Sequence, residues 1–509
     1  MKNSLFFLFT IILFISSCKK NDDVVIDEET EEVKDVVLGN EANDFTWKAM
    51  NSYYLWQDEV IELGDDRFAD KNDYHKFLNG FNSPIALFQT LKSPKDRFSA
   101  IVDDYDLLFN VLSGVYTTNG IDFVLTRPPE GGNKVVGVVR YVINDSDAAT
   151  KNVNRGDVFY AVNGVELFAE TDIDGNITSS NLDLLDPETF TLNFAEISEN
   201  NETVPNDVNI ELTKAEITED PILVSKTLEV SGIKIGYIMY NSFPFDSDIA
   251  LNEAIGVLKS ENIDELVLDL RYNGGGSGQT AQRLCSMITG QFTNELLGRD
   301  MWNAKWNNIL GSQDFFVDTI DETPINHLNL DKVYIIATDD TASASEYVLN
   351  NLAPYIDVIH IGDVTVGKNQ LSVSLVDNPG QVYKEEGRQD LPLPYIVLGG
   401  EYKTVENSNS KHKYALQPIV GQAQNADGFG EFTDGLQPDF LLQESLGNLG
   451  QLGEQGEPLL DLAIEKITGV TSKASKSYVP DNMKIKTISS STRMKPYGGT
   501  IHKGFIGIN

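Results

Sequence analysis

The chain has 509 residues, 41% of them hydrophobic and 23% charged, enough to bury large cores but too long for one ordinary domain, so two or three domains are expected. With 39 basic and 77 acidic side chains its net charge is −38, which repels a phosphate backbone and argues against nucleic-acid binding. Two cysteines, Cys18 and Cys285, exclude cysteine-rich zinc modules, and an export signal ending at Cys18 would leave the mature fold no internal disulfide.

Residues 1–17 read as a signal peptide: Lys2, an apolar run from Leu5 to Ile15, then Ser16 and Ser17 before Cys18. The run is about 11 residues, shorter than the roughly 20 that span a bilayer as a helix. Small residues before a cysteine resemble a bacterial lipoprotein cleavage box, which makes Cys18 the expected lipidated first residue. A lipid-anchored protein of the cell envelope follows, in the outer membrane and facing either the periplasm or the surface. Residues 18–40 form an acidic tether in which Asp22, Asp23, Asp27, Glu28 and Glu29 repel one another.

Residues 41–98 carry Phe45, Trp47, Met50, Tyr53, Tyr54 and Trp56 at helical spacings. That predicts an N-terminal helical domain whose aromatic stripe faces a core. Residues 99–215 shift to short β-branched runs punctuated by Gly and Asn, a β-rich module. Gly120-Ile121-Asp122-Phe123, followed by Arg155-Gly156-Asp157 and Asn163-Gly164, resembles a PDZ domain. That resemblance implies a loop at 120–123 offering backbone N–H groups to a peptide's terminal carboxylate while the peptide adds as a strand to the sheet edge. Glu170, Asp172, Asp174 and Gly175 mimic the start of a calcium loop, but Asn181 stands where a bidentate Glu is required, so an acidic turn is expected. Residues 216–470 alternate strands and helices, which indicates an α/β core with a substantially parallel sheet. The whole is thus multidomain α+β. Residues 471–509, a basic tail with seven Lys or Arg and one acid, carry no visible chemistry, and a terminus is by default poorly ordered.

Three segments of the α/β region carry candidate chemistry. Thr341-Ala342-Ser343-Ala344-Ser345-Glu346 joins an apolar strand to an apolar helix, a junction that exposes a hydroxyl beside the unpaired N–H groups of a helix start. The strand from Glu265 ends in Arg271-Tyr272-Asn273-Gly274-Gly275-Gly276; the glycines permit a sharp turn and close backbone approach to a ligand. A phosphate cradle is a rival reading, but Gly-Lys-Ser/Thr is missing. Gly367-Lys368-Asn369-Gln370 supplies a lysine that acts as a general base if desolvation lowers its pKa. None of the five histidines suggests a Ser-His-Asp triad.

Leu268-Asp269-Leu270-Arg271 with the glycines, Ser343 in Ser-Ala-Ser-Glu, Lys368 in Val-Gly-Lys 25 residues later, and Gly435-Leu436-Gln437-Pro438-Asp439 together resemble the C-terminal processing peptidases, or tail-specific proteases. Over residues 40–470 the resemblance implies a serine endopeptidase with Ser343 as nucleophile and Lys368 as base. The Ala344 N–H and a glycine N–H, from Gly275 or else Gly274 or Gly276, would form the oxyanion hole. No cofactor or metal is implied, and the partners are proteins or peptides with exposed C-terminal tails. Many members place a glutamine four residues after the lysine to orient it; that position is Ser372 here. If the chain is extended there, Lys368, Gln370 and Ser372 share a face, so Gln370 or Ser372 takes the orienting role.

The alternative is a catalytically inactive peptide-binding lipoprotein of the same fold, supported by the change at position 372. The stretch 291–327, with Met301, Trp302 and Trp306, reads as a packed surface excursion rather than a cover for the site. Cys285 reads as a buried apolar residue.

Overall fold

The computed structural model describes residues 35–173, 175–245, 247–378, 395–398, 408–471 and 480–494. The signal segment, Cys18, most of the acidic tether and Asp174 lie outside the described residues.

The N-terminal region is helical. Glu41–Tyr53, Lys71–Asn79 and Pro84–Leu91 each start from a polar cap, with the side chains of Asn40, Asp70 and Ser83 accepting from backbone N–H groups of the first turn. The stripe of Phe45, Met50, Tyr53 and Tyr54 is buried against Leu87 and Phe88. Its aromatic residues are therefore core rather than a ligand platform.

The middle domain is β-rich. Thr203–Thr213, Thr189–Ile197, Val158–Val162, Val136–Val142 and Ile121–Thr126 are neighbours in one antiparallel sheet, with Phe123, Leu125, Phe159 and Phe194 in its core. Asn163 and Gly164, both at positive φ (+51° and +78°), turn the hairpin between Val158–Val162 and Val165–Glu166. The acidic stretch is likewise a hairpin, Ala169–Thr171 with Ile177–Ser180, in which the Asp172 carboxylate accepts from the backbone and side chain of Asn176.

The α/β region has a six-stranded sheet in the order Ile222–Val230, Ile233–Tyr240, Glu265–Asp269, Lys332–Ala337, Asp357–Gly362, Phe440–Leu441. All neighbours after the first pair are parallel. Helices Asp248–Ser260, Gly278–Ile288 and Ala344–Leu352 pack through Leu251, Ile255, Leu284, Val348 and Leu352. Cys285 sits fully buried in that layer, and burial pushes its thiol pKa up.

One region bears out its reading as a packed excursion, and one departs from a plain reading of the sequence. The 291–327 excursion is a clasp: Leu296–Trp302 pairs with Ile419–Asn425 in the core, while Trp306 stacks on Tyr53 and donates its ring N–H to the Ser52 carbonyl of the N-terminal region. Within the basic tail, residues 480–494 are packed rather than loose. Met483 and Ile485 lie on Val124, Val136 and Leu446, Ile488 lies on the middle-domain core, and Ser489–Ser490 adds a strand to the Ile121–Thr126 edge. Partial burial of three apolar side chains and pairing of a sheet edge offset the entropy of ordering this piece.

Candidate active site

Glu265–Asp269 and Lys332–Ala337 are adjacent parallel strands, so the turns leaving their C-terminal ends meet, the usual position of sites in such sheets. Asn273 clips the two turns together. Its carbonyl accepts from Ala342 N (3.1 Å) and Ser345 Oγ (3.0 Å), and its side chain accepts from Gly275 N (2.9 Å) while donating to the Tyr240 carbonyl (2.8 Å). Gly275, at φ +103°, runs directly against the serine turn. A Cβ there would stand 2.7 Å from Ser343 Cβ and 3.0 Å from Ala344 N, so only glycine leaves that space open.

Ser343 is partly exposed and holds φ +57°, ψ −115°. A serine in that region costs about 1–3 kcal/mol, and the surrounding contacts impose it. The helix Ala344–Leu352 begins immediately afterwards. Its first N–H groups and positive dipole end therefore lie beside the strained hydroxyl-bearing residue.

Glu346 joins this turn to the lysine turn. One carboxylate oxygen accepts from Thr365 Oγ1 (2.5 Å) and Gly367 N (2.7 Å), the other from Ser343 N and Lys368 N (2.8 Å each). Ser343 and Lys368 thereby hang from a single oxygen. Burial raises the Glu346 pKa and the four donors oppose that rise. Glutamine cannot replace it, because an amide NH2 would face backbone N–H groups. Glu346→Gln is expected to lower stability by about 2–4 kcal/mol and cleavage by at least about tenfold; thermal denaturation and a peptidase assay on the same preparation check both.

Lys368 is 7% exposed, and burial lowers its pKa to about 8, against the opposing charges of Glu346 and Asp96. Part of its enclosure comes from the N-terminal region. The Phe98 ring centroid lies 5.6 Å from Lys368 Nζ. Arg97 donates to the carbonyls of Val366 (3.1 Å) and Thr433 (2.9 Å), fastening this loop to the lysine turn. The Asp96 carboxylate is held by Tyr54 Oη (2.7 Å) and by the N–H groups of Phe98 and Ser99 (2.9 and 2.8 Å). Phe98→Ala admits water and is expected to move the acid limb of kcat/KM to higher pH. Asp96→Asn removes a charge that favours the ammonium and is expected to move it lower. Opposite displacements in the two pH profiles are the check.

The other sequence candidates fall unevenly. Gln370 is buried, its side-chain carbonyl oxygen without a partner. Ser372 is exposed, and a register shift between Leu371 and Ser372 interrupts the face expected to run through Lys368, Gln370 and Ser372. In the 120–123 loop, Gly120 N donates to Thr118 Oγ1, Ile121 N to Asn119 Oδ1 and Phe123 N to Ser491 Oγ; Asp122 is paired with Arg140. His327, His360 and His412 bond to the Ser286 carbonyl, the Ala337 carbonyl and Asp377. Sequence reasoning quoted Glu346 only as part of a motif and missed Asp96 and Phe98. A carboxylate three residues after a serine at a helix start was the available signal for Glu346; Asp96 and Phe98 carried none.

A largely parallel α/β sheet thus brings a strained serine, a glycine turn and a buried lysine together beyond the ends of its strands. The Peptidase family S41 model matches residues 234–385, and the Peptidase S41 N-terminal domain model matches residues 41–100. An S41 protease structure from Bacteroides fragilis NCTC 9343 superposes with a TM-score of 0.62 at 22% identity, over 84% of this chain and 98% of that one. The C-terminal processing peptidase of Tetradesmus obliquus chloroplasts is 23% identical over 65% of this chain and 73% of its own length. Carboxyl-terminal-processing peptidase 2 of Arabidopsis thaliana chloroplasts is 24% identical over 31% of this chain, and the match spans only 30% of that protein. The chain has the fold of the S41, or C-terminal-processing, peptidase family.

Proposed function

We propose that this chain is a serine endopeptidase with a Ser343–Lys368 dyad, anchored in the cell envelope through a lipidated Cys18. The observation that carries the reading is the strained Ser343, pressed against Gly275 and tied through Glu346 to a desolvated lysine. The substrate is a protein or peptide whose exposed C-terminal tail is captured by the β-rich middle domain, read as PDZ-like.

In the proposed reaction the neutral Lys368 amine takes the Ser343 hydroxyl proton as Oγ attacks the scissile carbonyl carbon. The oxyanion forms beside the Ala344 N–H at the helix start and the glycine turn. Gly275 N–H donates to Asn273 in the resting arrangement, so its use as the second donor requires it to exchange that partner. When the C–N bond breaks, Lys368 returns the proton to the leaving amine. Water then attacks the acyl carbon as Lys368 takes its proton, the adduct collapses with Lys368 returning that proton to the leaving Ser343 Oγ, and the carboxylic acid product ionises as it leaves.

The test is incubation of the lipid-free chain from residue 41 with an unstructured protein bearing an apolar C-terminus, products being identified by mass spectrometry. Defined internal cleavages support the reading. An inert chain on several such substrates favours the peptide-binding alternative.

A further inference from the structure

The edge of the Ile121–Thr126 strand already has a peptide on it. Ser489 and Ser490 pair antiparallel with Leu125 and Val124, and Ile488 N donates to the Leu125 carbonyl (2.8 Å). Thr126 Oγ1 donates to the Lys486 carbonyl and accepts from Lys486 N (3.0 and 3.1 Å). One step further along, Ser491 Oγ donates to Asp122 Oδ2 (2.7 Å) and accepts from Phe123 N (3.0 Å). Thr492 Oγ1 reaches the same carboxylate oxygen (3.4 Å) and accepts from Arg140 Nη2 (3.4 Å). Ser490 and Ser491 are 1% and 9% exposed.

The chemistry of this edge favours a hydroxyl over a carboxylate. Asp122 is a buried acid at the position facing the occupant, and the neighbouring Gly120 and Ile121 N–H groups are engaged by Thr118 and Asn119, which leaves the Phe123 N–H, now held by Ser491, as the donor an occupant meets. A terminal carboxylate entering there meets a like charge, whereas a hydroxyl satisfies both Asp122 and the Phe123 N–H. Asp122 also pairs with Arg140, which pairs with Asp340, three residues before Ser343. The occupant thus ends one ion-pair relay away from the serine turn.

We propose that the Ile121–Thr126 edge is a strand-accepting site for an extended peptide with consecutive hydroxyl side chains, and that the chain's own 486–492 segment is its resident ligand. Any peptide that adds to this edge must displace that segment. Binding at the edge does not depend on catalysis; the consequence for cleavage rests on the peptidase reading above.

The experiment uses the full soluble chain with Ser343→Ala, with and without Ser491→Asp, which sets a second carboxylate against Asp122. The probe is a fluorescent peptide of the sequence 484–494, alongside the same peptide with alanine at the positions of Ser491 and Thr492, both read by anisotropy. Hydrogen exchange is followed at residues 121–126 and 486–491. Ser491→Asp is expected to bind the native probe at least tenfold tighter than the parent, to lose that gain with the alanine probe, and to exchange faster in both segments together. Unchanged exchange in both segments, equal affinity of parent and variant, or equal affinity of the two probes overturns the proposal. Ser490→Pro, which breaks the added strand, gives the same readings if Ser491→Asp fails to melt cooperatively. With Ser343 restored, Ser491→Asp is expected to cleave at least threefold faster. Tighter binding with no cleavage by any form leaves this site standing and removes the peptidase reading.

Discussion

Ser343→Ala is expected to lower cleavage of an unstructured substrate by at least about a thousandfold, since a nucleophile has no substitute within its own machinery. The companion variant separates chemistry from stability. Ser343 holds φ +57°, ψ −115°, a conformation that glycine adopts freely and residues with a Cβ do not. Ser343→Gly is therefore expected to be as inactive as Ser343→Ala but more stable than the parent, by about 1–3 kcal/mol. Kinetics and thermal denaturation of the two variants check this together. Retained cleavage in either variant removes Ser343 as nucleophile, and an unchanged or lowered melting temperature in Ser343→Gly shows that the turn stores no strain.

Lys368→Met is expected to abolish cleavage to a similar extent while raising stability at neutral pH. In the proposed reaction the free amine is the base, and burial lowers its pKa to about 8, so kcat/KM should climb about tenfold per pH unit toward that value and level off above it. At pH 6 the rate is expected about a hundredfold below the plateau. Stability moves by the same linkage. The unfolded chain holds the lysine proton up to about pH 10.4, the folded chain only to about 8, so between these values the unfolded state binds more protons and stability rises with pH. Below pH 8 the cost is present in full, on the order of 3 kcal/mol, and Lys368→Met removes it. A profile flat down to about pH 4, or a methionine variant keeping more than about 1% activity, excludes a lysine base.

The candidate site was legible where its chemistry sits in short local runs. Ser343 stands at a strand–helix junction, the glycines follow a strand, and Lys368 lies in a turn, each visible from the apolar segments beside it. The break in the face through Lys368, Gln370 and Ser372 was not legible, because the register shift at Leu371/Ser372 depends on how the strand pairs with Ile419–Asn425 and not on its own residues. A chain terminus is by default poorly ordered, and nothing local marks Met483, Ile485 and Ile488, set among Lys484, Lys486 and Thr487, as packed. Their partners, Val124, Val136 and Leu125, lie more than three hundred positions earlier in the chain.

Composition, hydrophobic period and turn residues determined by themselves the helical, β-rich and α/β regions in their order, and the three segments of candidate chemistry. Those signals are local, since a helix stripe, a strand run or a glycine turn is written within a few residues. Tertiary structure alone decided that Glu346 holds Ser343 and Lys368 on one oxygen, that Asp96 and Phe98 wall the lysine, and that Ser491 occupies the Asp122 edge. Apart from the local step from Ser343 to Glu346, each is a meeting of groups remote in sequence, made by backbone donors, a ring face or a strand edge. Such remote groups leave no pattern in sequence until the sheets and helices bring them together.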